Sequence, residues 1–568
     1  MSKVRAAAVE KVRAKGCLVA HLNGHTLALF AEGDEVFVVD NRCPHMGFPL
    51  HRGTVQDGIL TCHWHHARFD LCSGGTFDQW ADDLRSFPVE LRDGDVWVDL
   101  AARPDLVAHQ RARLRDGLER NLSLVIAKSA IALDAAEIDP AEPFGVGLDF
   151  GVETRGPGFG QGLTMLVCFA NMAGRVGEDA RRNAVYQGLS AVAVDSTGEP
   201  PRFTVSPLPN SDADLASLKR WFRRFVEVRD AEGAERCIVS AVRGGADDAA
   251  LADMLFAAAT DHRYIRGGHV LDFTNKAFEA LDLAGWERAE PVLASLATEY
   301  AMADRMEESN AWRNPVDLVL ILERAFERLP EGARAGGTGW AGRDELVEVV
   351  LGEDPSASVE ALLRALDAGA GWVELAAVVT YAAALRIARF HTANEFGDWD
   401  TALHTFTFAN AVEQGLRRAP SVELLRGVFD AAMSVYLDRF LNVPPAKLPP
   451  WEGSLDPEEL LPLLDRQQQV NEAGALVRAY LESGSDPDPL IAVIVEALVR
   501  EDRDFHTIQM IEAALRQFDR LRGTPAGVDV LVAAARYLAA HAPTVRAQGQ
   551  TFQIAQRLHR GERLYEDD

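Results

Sequence analysis

The pattern of apolar and polar positions divides this chain in two. Between residues 16 and 100 the pattern is short and alternating, as in half-buried strands. Stretches 17–21, 26–30 and 36–40 predict antiparallel strands, with Asn23-Gly24 and Gly33-Asp34 as the turns between them. Residues 58–61, 87–91 and 95–100 predict further strands, the last two closing a hairpin across Arg92-Asp93-Gly94. Residues 104–122 predict a polar helix. The Gly- and Pro-rich stretch 137–162 predicts an irregular connection. From about residue 163 apolar residues recur at three and four positions. Such stripes predict helices at 218–228, 248–262, 269–283, 289–302, 315–329, 358–368, 371–393, 401–417, 421–439, 490–500, 506–520 and 526–541. Prolines punctuate them, and 440–460 reads as a Pro-rich loop. No fixed repeat period is present, so a regular solenoid is not expected. The fold class expected is multidomain α+β. It comprises a small antiparallel β domain at 1–105, a linker at 106–162, and a large, mainly α-helical domain at 163–568.

The chemistry concentrates at two loops of the β region. Cys43-Pro44-His45 and Cys62-His63-Trp64-His65 form C-x-H, sixteen residues, then C-x-x-H. A two-iron, two-sulfur cluster takes four ligands in two tight pairs, two thiolates on one iron and two imidazoles on the other. A structural Cys2His2 zinc site is the competing use of the same donors. The flanks favour the cluster. Asn41-Arg42-Cys43-Pro44-His45-Met46-Gly47 and Cys62-His63-Trp64-His65-His66-Ala67-Arg68-Phe69-Asp70, followed by Ser73-Gly74-Gly75, closely resemble the two cluster loops of the Rieske family. The resemblance covers about residues 1–105. It implies a [2Fe-2S] cluster with Cys43 and Cys62 on the inner iron and His45 and His65 on the outer. There is no extra pair of loop cysteines, so it points to the ferredoxin and oxygenase branch.

Charge narrows the partners. The 568 residues include 85 acidic and 58 basic side chains, a net charge of −27, which argues against nucleic acid and anionic membranes. A basic redox partner would suit this surface. The N-terminal twenty residues lack the apolar core of a signal peptide, and no run of eighteen apolar residues predicts a membrane span. Cys17, Cys72, Cys168 and Cys237 are scattered without a disulfide framework, as in a cytoplasmic protein.

A second constellation lies in the helical part. Asp261-His262-Arg263-Tyr264-Ile265-Arg266-Gly267-Gly268-His269, continuing to Lys276, is one stretch; His391 to His404, with Glu395, is the other. On one helix His262, His269 and Lys276 would share a face, unless Gly267-Gly268 breaks it. His391 and Glu395 are expected one turn apart on a helix ended by Gly397, with His404 near the start of the next. Imidazole-rich donors suit iron, copper or zinc. His262, His269, His391 and His404 are therefore the expected ligands and catalytic residues of a second metal, with Glu395 as ligand or support. Lys276 would ligate only if neutral or carbamylated. His506 and His541 come after these as candidates, and His109 and His559 read as surface residues. Gly158-x-Gly160-x-Gly162 lacks the spacing and preceding strand of a dinucleotide loop and reads as a packed turn.

Asp272-Phe273-Thr274-Asn275-Lys276 after His269, and Phe406-Thr407-Phe408-Ala409-Asn410 after His404, resemble the questin-oxidase-like family over about residues 160–560. That resemblance implies a helical oxygenase acting on polycyclic aromatic ketones. The D-x-x-H-x-x-x-x-H pattern of ring-hydroxylating Rieske oxygenases is not found. The expectation is an oxygenase in which the cluster feeds electrons to a non-haem metal, here iron, that oxidises a bulky organic substrate with O2. A separate reductase or ferredoxin would be the electron donor, and the chain would assemble as a homo-oligomer. The alternative is an electron-transfer or redox-sensing protein whose helical domain binds a partner and holds no second metal.

Overall fold

In the computed structural model, which describes residues 3–101, 106–209, 213–329 and 340–564, the alternating segment folds into three small antiparallel sheets. Strand β1 (Lys3–Ala8) leads into a short helix, α1 (Val9–Lys15). Then come β2 (Cys17–Leu22), β3 (His25–Glu32) and β4 (Glu35–Asp40), a meander whose first turn places Asn23 and Gly24 both at positive φ. That is the backbone a two-residue hairpin needs. Short strands β5 (Thr54–Gln56), β6 (Ile59–Thr61) and β7 (Arg68–Asp70) carry the second cysteine loop between β6 and β7. β8 (Ser86–Phe87) pairs with β4, and β9 (Val89–Arg92) forms a hairpin with β10 (Asp95–Asp99). β1 completes this sheet by pairing with β10. Its own basic residues, Lys3 and Arg5, pair with Glu90 and Asp95 across the exposed face.

Contacts divide the chain into two units, Met1–Pro143 with Gln548–Asp568, and Phe144–Ala547. This differs from the expected boundaries at 105 and 162; residue 105 and the start of the predicted 104–122 helix lie outside the described residues. Helices α2 (Leu106–Glu119) and α3 (Ser123–Ala135) belong to the first unit, as does most of the last helix, Ala547–His559. The expected irregular connection is largely a helix, α4 (Ala141–Thr154). Its Pro143 falls in the first turn, where an N–H has no helical partner to lose. Gly147 and Gly151, one turn apart, let Leu189 and Leu163 come within 2.7 and 2.6 Å of where a Cβ would stand. The glycines thus mark close packing rather than a loop.

The second unit is helical. The His269–Ala284 helix packs against the Asp398–Arg418 helix, which packs against the Phe505–Leu521 helix; α5 (Gln161–Ala173) lies against the last of these. Two expected helices stop short. The Asp248–Ala259 helix ends before His262, and Tyr264, Arg266, Gly267 and Gly268, all at positive φ, keep the chain from running helically on to His269. His262 and His269 therefore share no helix. The Trp372–Ala388 helix ends before His391, whose amide donates to Leu441 O at 2.9 Å. His391 and Glu395 thus sit in a loop, not on a helical turn. No described helix is long and apolar enough to cross a membrane.

Candidate metal centres

The two cysteine loops have the same backbone form. Cys43 N–H donates to Phe48 O at 2.8 Å, and Gly47 N–H returns to Cys43 O at 2.8 Å. In the second loop Cys62 N–H donates to Ala67 O at 2.8 Å, and His66 N–H returns to Cys62 O at 3.0 Å. The fourth residue after each cysteine has positive φ, Gly47 at 82° and His66 at 64°. Each turn aims amide N–H groups at its own sulfur: His45 and Met46 on Cys43, Trp64 and His65 on Cys62. Such donors stabilise thiolate and bound sulfur. Asn41, buried, ties the first loop by accepting the His51 amide at 2.8 Å.

The donor set fits the cluster. Both cysteines are buried in one apolar group with Phe30, Leu60, Phe69 and Leu84. They share a hydrogen bond that pushes Cys43 up and draws Cys62 down. The rings of His45 and His65 lie 4.9 Å apart, centre to centre. Burial first, then His65 and Lys128, lowers His45 to about 4, so its ring is neutral and able to ligate. Among the described residues His45 Nδ1, buried, has no hydrogen-bond partner, as an atom reserved for a ligand bond would be. Trp80 lies edge-on to His45 at 4.6 Å, and Trp64 covers one side of His65, which stays exposed.

The helical unit brings together a different set of histidines from the one expected. His269, His404 and His506 each offer a ring nitrogen within 4.8 Å of the others. His269 opens its helix, His404 lies in the second turn of the Asp398–Arg418 helix, and His506 lies in the first turn of the Phe505–Leu521 helix. His404 Nε2 and His506 Nε2 are 3.0 Å apart. Two nitrogens bound at right angles to one ion, each about 2.1 Å from it, stand about 3 Å apart. Burial, with the neighbouring imidazoles, draws His269 down to about 3 and His404 to about 4, so both are neutral donors. A positive helix N-terminus acts in the same sense at His269. Phe273 and Phe505 wall one side of His269.

A carboxylate stands behind the trio. Asp400 Oδ2 lies 3.8 Å from His506 Nδ1, and Oδ1 accepts the Tyr537 hydroxyl at 2.6 Å. Burial pushes Asp400 up, but His541, Tyr537 and His506 together hold it at about 2. At that distance Asp400 stands near the far nitrogen of His506 without a hydrogen bond to it.

The other expected residues are placed elsewhere. His262 has Glu307 at 2.8 Å on Nδ1 and Glu227 at 3.3 Å on Nε2. His391 Nδ1 accepts the Ala393 amide at 3.2 Å, and Glu395 is exposed. Lys276, two turns or about 10 Å along the helix from His269, is buried against Glu512 at 2.7 Å and Glu279 at 3.0 Å. His506 has no second histidine near it in sequence; its signal is Asp504, which caps the helix through Thr507 N–H at 2.7 Å and so fixes the turn that aims the ring.

Residues 2–88 match the Rieske [2Fe-2S] domain family. The ferredoxin component of the p-cumate 2,3-dioxygenase system of Pseudomonas putida is 34% identical over 84 residues, 14% of this chain and 71% of that protein. The vanillate O-demethylase oxygenase subunit of a Pseudomonas species is 38% identical over 87 residues, 14% of this chain but 26% of that protein's length. Among solved structures, the Sphingomonas yanoikuyae B1 ferredoxin is 28% identical and wholly covered, over 18% of this chain, with a TM-score of 0.17. Similar proteins thus include both ferredoxin and oxygenase components, and these matches concern the β region. Through that region, the chain belongs to the Rieske [2Fe-2S] domain family.

Proposed function

We propose that the protein is an oxygenase in which the Rieske cluster supplies single electrons to a non-haem iron held by His269, His404 and His506. The observation that carries this reading is the convergence of three imidazoles from three helices, with Asp400 beside His506. Three nitrogen ligands leave coordination positions open, and iron so held supplies dioxygen activation. The protein's own part is to keep His269 and His404 neutral through burial and to hold the three rings together from three helices. Phe273 and Phe505 keep water from one flank of His269. The resemblance of the helical segment to questin-oxidase-like proteins supports a bulky, polycyclic aromatic substrate. A separate reductase or ferredoxin supplies electrons to the cluster. The second reading, an electron-transfer or sensing protein, draws on the ferredoxin components among its relatives.

Nitric oxide separates the two. Added to anaerobic, reduced protein, it forms an adduct with mononuclear ferrous iron whose paramagnetic resonance signal a Rieske cluster does not give. The oxygenase reading expects that signal in the natural protein and its loss in His404→Ala and His506→Ala, with the cluster signal intact. Absence from the natural protein, or survival in both variants, contradicts it.

A further inference from the structure

The Rieske match ends at residue 88, yet the first cluster loop is braced by a residue forty positions beyond it. Lys128 on α3 donates from its ammonium to the carbonyl of Pro44, the residue between Cys43 and His45. Burial draws the Lys128 ammonium down, against the raising effect of Asp82. Asp82 is not its partner alone. It also faces His109 Nε2 at 2.9 Å and Arg113 Nε at 3.2 Å, both from α2. One carboxylate thus serves His109 and Arg113 and also acts on Lys128. Cys43, Pro44, Asp82 and Lys128 line a common cavity of about 690 Å³.

Reduction adds one negative charge to a [2Fe-2S] cluster, and its potential depends on nearby charge and hydrogen bonding. Inside a protein such a charge acts more strongly than in water. We propose that Lys128 is a positioning residue that raises the reduction potential of the cluster, by holding a positive charge against the Pro44 carbonyl from a helix outside the Rieske domain. The helical extension of the first unit then tunes the cluster as well as bracing it.

The test is a redox titration of the purified, cluster-loaded protein with dithionite and mediators, read by the resonance signal of the reduced cluster. Lys128→Met removes the charge and the donor; Lys128→Gln removes the charge and keeps an N–H for Pro44; Lys128→Arg keeps the charge. We expect the Met and Gln variants to lose at least tenfold in the reduction equilibrium, about 59 mV for one electron, with iron content unchanged. Arg should restore the natural potential. Gln keeps the loop's hydrogen bond, so it decides the matter if the Met variant fails to load. A loaded Gln variant with the natural potential, or an Arg variant as low as Gln, overturns the proposal.

Discussion

Lys276 shows how a single side chain can be read in two ways. Its spacing from His269 suggested a donor to the same metal, yet its ammonium is locked between Glu512 and Glu279. Burial alone would lower it, but the two carboxylates hold it above the usual lysine range. Truncating one partner of a buried pair costs about 3–5 kcal/mol where it strands the other charge, and less here because Arg516 also contacts Glu512 and Glu279 at 2.9 and 3.1 Å. Lys276→Met should lower the denaturation midpoint accordingly; a midpoint equal to that of the natural protein would show that the pair is not closed. Asp438 gives a pH signature. Burial raises its carboxyl to about 7, against Thr405 and Arg386, which favour the anion. It also caps the C-terminal end of the Val422–Leu437 helix, an unfavourable place for an anion. A group raised on folding adds stability that is complete below its unfolded value and is lost as pH rises through its folded one. Asp438→Asn should therefore gain stability relative to the natural protein between about pH 4 and pH 7 in urea melts. A constant difference across that range would contradict the assignment.

At the scale of elements, the cysteine loops were legible because their ligands are local. C-x-H and C-x-x-H fix each donor pair on one turn, so spacing alone carries the geometry. The histidine trio is not local. His269 and His404 stood out within their His-rich stretches, but His506 comes from a third helix, and only helix packing brings it to the others. His262 and His391 looked equivalent in sequence; one is occupied by carboxylates and the other lies in a loop tied to Leu441. Gly147 and Gly151 were legible as punctuation but not as helix packing, whereas Gly158 was read as part of a packed turn. Gly158 has a φ of 93°, and a Cβ there would meet Ser295 O at 1.8 Å. That oxygen accepts the Phe159 amide at 3.1 Å. Gly158→Ala should destabilise the helical unit by about 1–3 kcal/mol, measured as a shift in urea midpoint with cluster absorbance unchanged. No shift would mean that the segment is a free loop.

Over the whole molecule, the change of period near residue 163 separated β from helical architecture, while contacts divide the chain at Pro143 and Ala547. α2, α3 and the end of the chain belong with the β region, and amphipathic pattern does not say which neighbour a helix serves. The strand β1 was missed because its charged residues face outward and pair across the sheet. Under the proposed function the chain carries two metal centres, one in each unit. Iron per chain, measured on protein purified without oxygen, tests it most directly. The account predicts about three irons, two in the cluster and one in the helical unit, falling to about two in His506→Ala with the cluster spectrum retained. About two irons in the natural protein, with no other transition metal and no change on substitution, would contradict it.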